Sequence, residues 1–64
     1  MPTKEQVKHA ASQWARDYNY GYAGVEYIMT AWFGTEEEFN EISKRVSVNA
    51  NEIKEFEEKY LFKK

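Results

Sequence analysis

The stretch YAGVEYIMTAWF, residues 22–33, decides the fold. At helical spacing Val25, Ile28, Met29, Trp32 and Phe33 recur as i, i+3, i+4, i+7 and i+8, which is one face of a helix. At strand spacing Val25, Tyr27, Met29, Ala31 and Phe33 share a face, but the opposite face then mixes Glu26 with Ile28 and Trp32. The helical pattern is the cleaner one. Gly24 argues against it, since a glycine inside a helix costs about 1 kcal/mol relative to alanine. A helix here makes the chain an all-α bundle of three or four short helices. A strand or hairpin makes it a winged or mixed α+β domain.

On the N-terminal side, TKEQ (residues 3–6) sets Gln6 three residues after Thr3, the spacing of a capping box that satisfies otherwise orphaned amides. Val7, Ala10, Ala11, Trp14 and Tyr18 then recur at helical spacing, and NYG (residues 19–21) supplies the stop, with Gly21 able to take the left-handed conformation at a helix end. On the C-terminal side Gly34 closes the central element and Thr35 opens another capping box with Glu38. Phe39, Ile42 and Val46 form the buried stripe of that third helix, and Glu41 stands one turn before Arg45 in the favourable order for an ion pair. SVN (residues 47–49) breaks the run. Asn49 can cap a fourth helix with Glu52 in reciprocal position, Ile53, Phe56, Tyr60 and Leu61 face inward, and Glu55 can pair with Lys59.

Sixty-four residues allow one domain, residues 1–64, which buries only about 60% of the surface its unfolded chain exposes. Aromatic residues at 17% offset this, because each buried ring removes roughly 150–250 Å² from water. The expected core is Val7, Trp14, Val25, Met29, Trp32, Phe33, Phe39, Ile42, Val46, Ile53, Phe56 and Tyr60. With no cysteine there is no disulfide staple, thiolate metal site or cysteine nucleophile, which favours an intracellular, cytoplasmic setting. The start carries no apolar signal region, and no run approaches the ~20 apolar residues of a membrane span.

The net charge is −2, but residues 36–58 hold eight glutamates against Lys44, Arg45 and Lys54. Lys59, Lys63 and Lys64 return positive charge to the tail. A nucleic-acid binder ordinarily shows a basic stripe, since phosphate contacts supply most of its non-specific affinity. This chain shows an acidic one.

Residues 39–58 nevertheless resemble the general helix-turn-helix motif, over about a third of the chain. Ile42, Val46, Val48, Ile53 and Phe56 stand where its two helices meet, Ser43 occupies the small-residue crossing position, and Asn49 fits the cap after the turn. Ser47 stands where the motif prefers glycine. The pattern is also that of a plain helical hairpin. The resemblance implies that Asn49, Ala50, Asn51, Lys54, Glu55 and Glu58 point outward. Asn49 and Asn51 would then read adenine, Lys54 guanine or phosphate, and Lys44, Arg45, Lys59, Lys63 and Lys64 phosphates, in a dimer on a palindromic site. Glu55 and Glu58 would face a polyanion.

Other chemistry finds little footing. His9 is the sole histidine and lacks converging partners, Ser12, Ser43 and Ser47 have no evident base, and no Gly-rich phosphate loop occurs. Glu37 and Glu41 make a solvated acidic face rather than a cation cage, which needs six or more oxygens. No cofactor is implied. Trp14, Tyr18, Tyr20, Tyr22 and Tyr27 crowd residues 14–27 with only Arg16 for charge, which suits core and protein contacts better than stacking on single-stranded nucleic acid.

The expectation is therefore a non-enzymatic regulator that occupies a partner, in the manner of small acidic inhibitors from phages and mobile elements. The partner would be a protein with a basic surface, one that normally holds nucleic acid being the natural example. Glu36, Glu37, Glu41, Glu52, Glu55 and Glu58 would supply charge complementarity, and Tyr20 and Tyr22 affinity. The alternatives are a DNA-binding transcriptional regulator using Lys44, Arg45, Asn49, Asn51 and Lys54, and a structural subunit. A homodimer fits either regulator.

Overall fold

The computed structural model describes residues 1–63, so Lys64, counted above with the tail cations, lies outside the described residues. Within them the chain forms α1 (Lys4–Asp17), α2 (Gly21–Phe33), α3 (Glu36–Arg45) and α4 (Asn51–Phe56), and α4 runs on without a break into a π-helical turn (Glu57–Leu61). No strand occurs among the described residues, which makes the domain all-α.

The helix starts follow the local chemistry. Thr3 Oγ1 accepts from the Gln6 amide at 3.1 Å while Gln6 Oε1 accepts from the Thr3 amide at 2.8 Å. Thr35 and Glu38 repeat the arrangement at 3.1 and 2.9 Å. Asn49 Oδ1 accepts from the Asn51 amide at 2.9 Å, and Glu52 Oε2 accepts from the Asn49 amide at 3.1 Å. Each device satisfies amides that a helix N-terminus leaves free.

The stop after α1 differs from expectation. Asn19, with φ of 61°, takes the left-handed conformation that ends the helix, and Tyr20 donates its amide back to the Ala15 carbonyl at 2.8 Å. Gly21, with φ of 67°, then opens α2. Two left-handed residues flank Tyr20 and fold it back over the end of α1, a corner that asparagine and glycine alone make cheaply.

α2 is helical, but it presents a different face from the one its periodicity suggests. Gly24, Tyr27 and Ile28 are buried, Val25, Met29 and Trp32 are only partly covered, and Phe33 is 44% exposed. The reason lies at Gly24. A Cβ built there would stand 3.1 Å from the Ala15 Cβ on α1 and 2.5 Å from the Cβ of Tyr20 at the corner that begins α2, so the missing side chain is what lets α1 and the corner close onto α2. The facing surface of α1 is made of Ala10, Ala11 and Ala15, small enough to accept the approach. Because α2 is apolar nearly all round, its pattern left the rotation open, and the glycine fixes it.

The core is Val7, Ala10, Ala11, Trp14, Ala15, Tyr27, Ile28, Ile42 and Phe56. Trp14 is its hub, packed edge-on against Phe56 at 5.9 Å and tilted on Tyr20 at 5.0 Å. Tyr18, expected inside, is exposed and stacks on Tyr20 at 6.0 Å. α3 lies on α2 through Phe39 and Tyr27, 5.2 Å apart, and the π-helical turn lies on α1. Phe39, Val46, Ile53 and Tyr60 pack partly buried against the core.

The helices that resemble a helix-turn-helix therefore lean on different partners, α3 on α2 and the π-helical turn that continues α4 on α1. Ser43 donates to the Phe39 carbonyl of its own helix at 2.8 Å. Likewise the expected Glu41–Arg45 pair gives way to two others, Arg45 with Glu26 on α2 at 3.9 Å and Lys44 with Glu41 at 3.8 Å.

Candidate functional site

The acidic residues fall into two groups on separate helices. Glu36, Glu37 and Glu41 stand exposed on α3, where the capping box at Thr35 sets the start of the helix and Ile42 fixes which side turns inward. The packing of α3 on α2 then joins them to a carboxylate from elsewhere. Glu26, Thr30, Glu37, Glu38, Glu41, Ile42 and Arg45 line one open groove, in which Arg45 pairs with Glu26 at 3.9 Å, Glu41 stands 3.8 Å from Lys44, and Glu38 closes the capping box at Thr35. Glu26 is a member that sequence reasoning missed, because nothing local links it to residues eleven or more positions further on. The second group, Glu55 and Glu58, is exposed along α4 and its π-helical extension, beside Lys54 and Lys59, with Glu55 paired to Lys59 at 3.9 Å.

Two residues expected at the interface are engaged inside the molecule. The Tyr20 hydroxyl donates to Glu52 Oε1 at 2.6 Å, and the other Glu52 oxygen holds the Asn49 amide. Glu52 is thus a strut between the α1–α2 corner and the start of α4, and neither it nor the half-buried Tyr20 is free for a partner. That hydrogen bond, with burial second, pushes the Tyr20 phenol up to about 12. Tyr60 makes the equivalent tie at the other end of the turn, donating to Asp17 Oδ2 at 2.6 Å, and its phenol is also pushed up to about 12, the hydrogen bond again leading. Burial raises Tyr27. Tyr22, in contrast, is 79% exposed and is available to a partner.

The DNA-reading set is exposed but largely occupied. Lys44 and Arg45 sit against Glu41 and Glu26, and the Asn49 side chain, just before α4, accepts from the Asn51 amide. Asn51 and Lys54 remain, next to Glu55 on a helix six residues long, with Glu58 in the π-helical turn that follows.

On the far side of α2 the exposed Tyr22 and Phe33 and the partly buried Val25 and Met29 form an apolar stripe. Lys4, Lys8 and Glu26 line the same surface. The Lys4 ammonium stands 5.9 Å from the centre of the Phe33 ring. Trp32 faces a separate cleft with Ala31, Phe39, Ile53 and Glu57, and its buried indole N–H has no partner among the described residues. His9 is exposed in a shallow groove with Glu5, Gln6 and Gln13. Among the described residues no group of three or more His, Cys, Asp and Glu side chains is placed to hold a metal ion, and no helix is long and apolar enough to cross a membrane.

No protein-family model, curated protein or solved structure matches this chain.

Proposed function

We propose that this protein is a non-enzymatic regulator that binds and occupies the basic surface of another protein. The observation that carries the reading is the α2–α3 groove, whose lining holds four carboxylates, Glu26, Glu37, Glu38 and Glu41, against one guanidinium, Arg45. Carboxylates gathered between two helices raise the local negative potential above what the chain's modest net charge suggests, and such a field speeds the encounter with a cationic partner. Glu55 and Glu58 add a second acidic strip on α4. A basic helix or loop laid along the groove meets the carboxylates of Glu37 and Glu41 on α3, and Tyr22 lies on the neighbouring surface beyond Glu26. The cysteine-free chain suits the cytoplasm, where a nucleic-acid-binding protein is the natural owner of such a surface.

The alternative of direct DNA reading loses support from the same geometry, since two of its cations already face glutamates and the side chain of one of its asparagines is hydrogen-bonded to the backbone of the other.

Fluorescence anisotropy separates the two. A labelled Lys/Arg-rich helical peptide is expected to bind at low salt, to weaken steeply as salt rises, and to lose several-fold in affinity with the double substitution Glu37→Gln, Glu41→Gln. Labelled random duplex DNA is expected not to bind even at low salt. Salt-sensitive binding to the duplex by the unmodified protein, with none to the peptide, sinks the proposal in favour of a DNA reader.

A further inference from the structure

We propose that the cleft bounded by Trp32 on α2, Phe39 on α3 and the joint between α4 and its π-helical turn takes one arginine side chain of a protein partner. The inference rests on the reading of a basic partner and gives that partner a point of anchorage outside the acidic groove. Ala31, Trp32, Phe39, Ile53 and Glu57 line the cleft, and none of them lines the groove.

The chemistry of the walls selects the occupant. Ala31, Phe39 and Ile53 offer carbon alone. Trp32 adds only carbon as well, because its indole N–H is itself buried, away from anything that enters. Among the described residues Glu57 is thus the one lining side chain with a polar group to offer, and as a carboxylate it only accepts hydrogen bonds. It is half-buried and forms no ion pair among the described residues. Lys59 is held by Glu55 at 3.9 Å, Lys63 lines a different groove against α1, and Lys54, one turn before Glu57, is exposed.

An anionic occupant meets a like charge here and finds no donor. A purely apolar one covers the carboxylate without giving it a hydrogen bond, which costs free energy. A cation on an apolar stem satisfies both parts of the cleft, with methylenes against Ile53 and Phe39 and charge against Glu57. Arginine fits better than lysine, since a guanidinium is planar, lies flat on an aromatic ring, sheds water more readily and presents two N–H groups to one carboxylate. A volume of about 340 Å³ stands near the floor of the roughly 300–1,000 Å³ of small-molecule sites, which is room for one side chain.

The backbone that carries Glu57 is fixed on both sides. Phe56 before it is fully buried, and the Glu57 carbonyl accepts from the Phe62 amide at 2.7 Å, closing the π-helical turn. Turns of this kind recur at functional sites. This one sets a carboxylate beside aromatic walls that two other helices supply.

Heteronuclear NMR of the full chain tests this with the Nα-acetyl amides of arginine, lysine and citrulline, the last having arginine's shape without its charge. The arginine probe is expected to move the signals of Trp32, Ile53 and Glu57, with dissociation on the order of 10 mM, and citrulline and lysine to bind several-fold more weakly. Glu57→Gln is expected to lower arginine affinity about fivefold, and Ala31→Leu, which fills the cleft, to abolish binding, with far-UV circular dichroism establishing that both are folded. No shift at the cleft well above that concentration, equal binding of citrulline, or unchanged affinity in Glu57→Gln overturns the proposal. A lysine probe that matches arginine overturns the choice of a guanidinium. The groove and the cleft fail separately when the Lys/Arg-rich peptide is titrated. Loss of affinity with Glu37→Gln, Glu41→Gln but none with Glu57→Gln keeps the groove and removes the cleft. Cleft shifts with the arginine probe, beside a peptide indifferent to the groove substitutions, do the reverse.

Discussion

Replacing Gly24 with alanine is ordinarily a stabilising change in a helix, worth about 1 kcal/mol in propensity. Here it is expected to destabilise. The new methyl would start 2.5 Å from the Tyr20 Cβ and 3.1 Å from the Ala15 Cβ, against a comfortable carbon–carbon separation of about 3.5–4.0 Å. Neither neighbour can swing away. Ala15 has no side-chain freedom, and the Tyr20 Cβ is fixed by a backbone held between left-handed Asn19 and Gly21, with its ring against Trp14 and its hydroxyl on Glu52. The helices must part by roughly an ångström, an overpacking cost of about 1–3 kcal/mol to which the loosened contacts around Trp14 add. The net loss is about 1–2 kcal/mol from a total of roughly 3–10 for a chain this long, which lowers the melting temperature by about 5–15 °C. Thermal melts and urea titration by circular dichroism measure it. Ala23→Gly serves as the reference, because Ala23 is exposed and the change there reads propensity alone, a loss of about 1 kcal/mol. If Gly24→Ala raises the melting temperature, the close approach of α1 and α2 is not what holds this fold.

Two further outcomes follow from the tyrosine ties. Tyr20→Phe and Glu52→Gln are each expected to cost about 1 kcal/mol in urea unfolding, and the double variant less than the sum, because they remove one shared hydrogen bond; strict additivity would refute the strut. Tyr20 and Tyr60 hold their protons to about 12 when folded and to the ordinary 10.0 when unfolded, so the native chain binds more protons between those values. Their contribution is full below pH 10 and is lost as pH rises to 12. Urea midpoints are expected to fall over that window, and to fall less in a Tyr20→Phe, Tyr60→Phe variant; equal slopes in both proteins would refute the assignment.

The features legible in the sequence are those that local chemistry determines. Thr3 with Gln6 and Thr35 with Glu38 each form within four residues and are in place, while of the Asn49–Glu52 pair only the Glu52 half forms, the Asn49 side chain turning to the Asn51 amide. The helical state of residues 22–33 was readable for the same reason, since spacing alone carries it. Its rotation was not. Val25, Met29, Trp32 and Phe33 are as apolar as Tyr27 and Ile28, and the deciding contacts join Gly24 to Tyr20 at the corner and to Ala15 on another helix. The same holds at the site. That Glu36, Glu37 and Glu41 are exposed follows from the α3 stripe, but Glu26 joins them only through the packing of α2, and Glu52 leaves them only through a tyrosine 32 positions away. The helix-turn-helix likeness of residues 39–58 came from two amphipathic helices and a cap, which these helices satisfy while resting on different neighbours.

Trp14 gives the molecule a built-in optical probe of its own assembly. The indole is 1% exposed and touches Tyr20 at the α1–α2 corner and Phe56 on α4, so its emission is blue-shifted only while three helices are seated together. Trp32 stands at the opposite end of α2, 6.1 Å from Phe62 beyond the π-helical turn, and reports on a different joint. An event that lifts α4 from α1 reddens the first chromophore, and one that shifts only the tail perturbs the second. Loosening of the core and displacement of the tail can therefore be told apart in unlabelled protein, from the spectrum of two tryptophans.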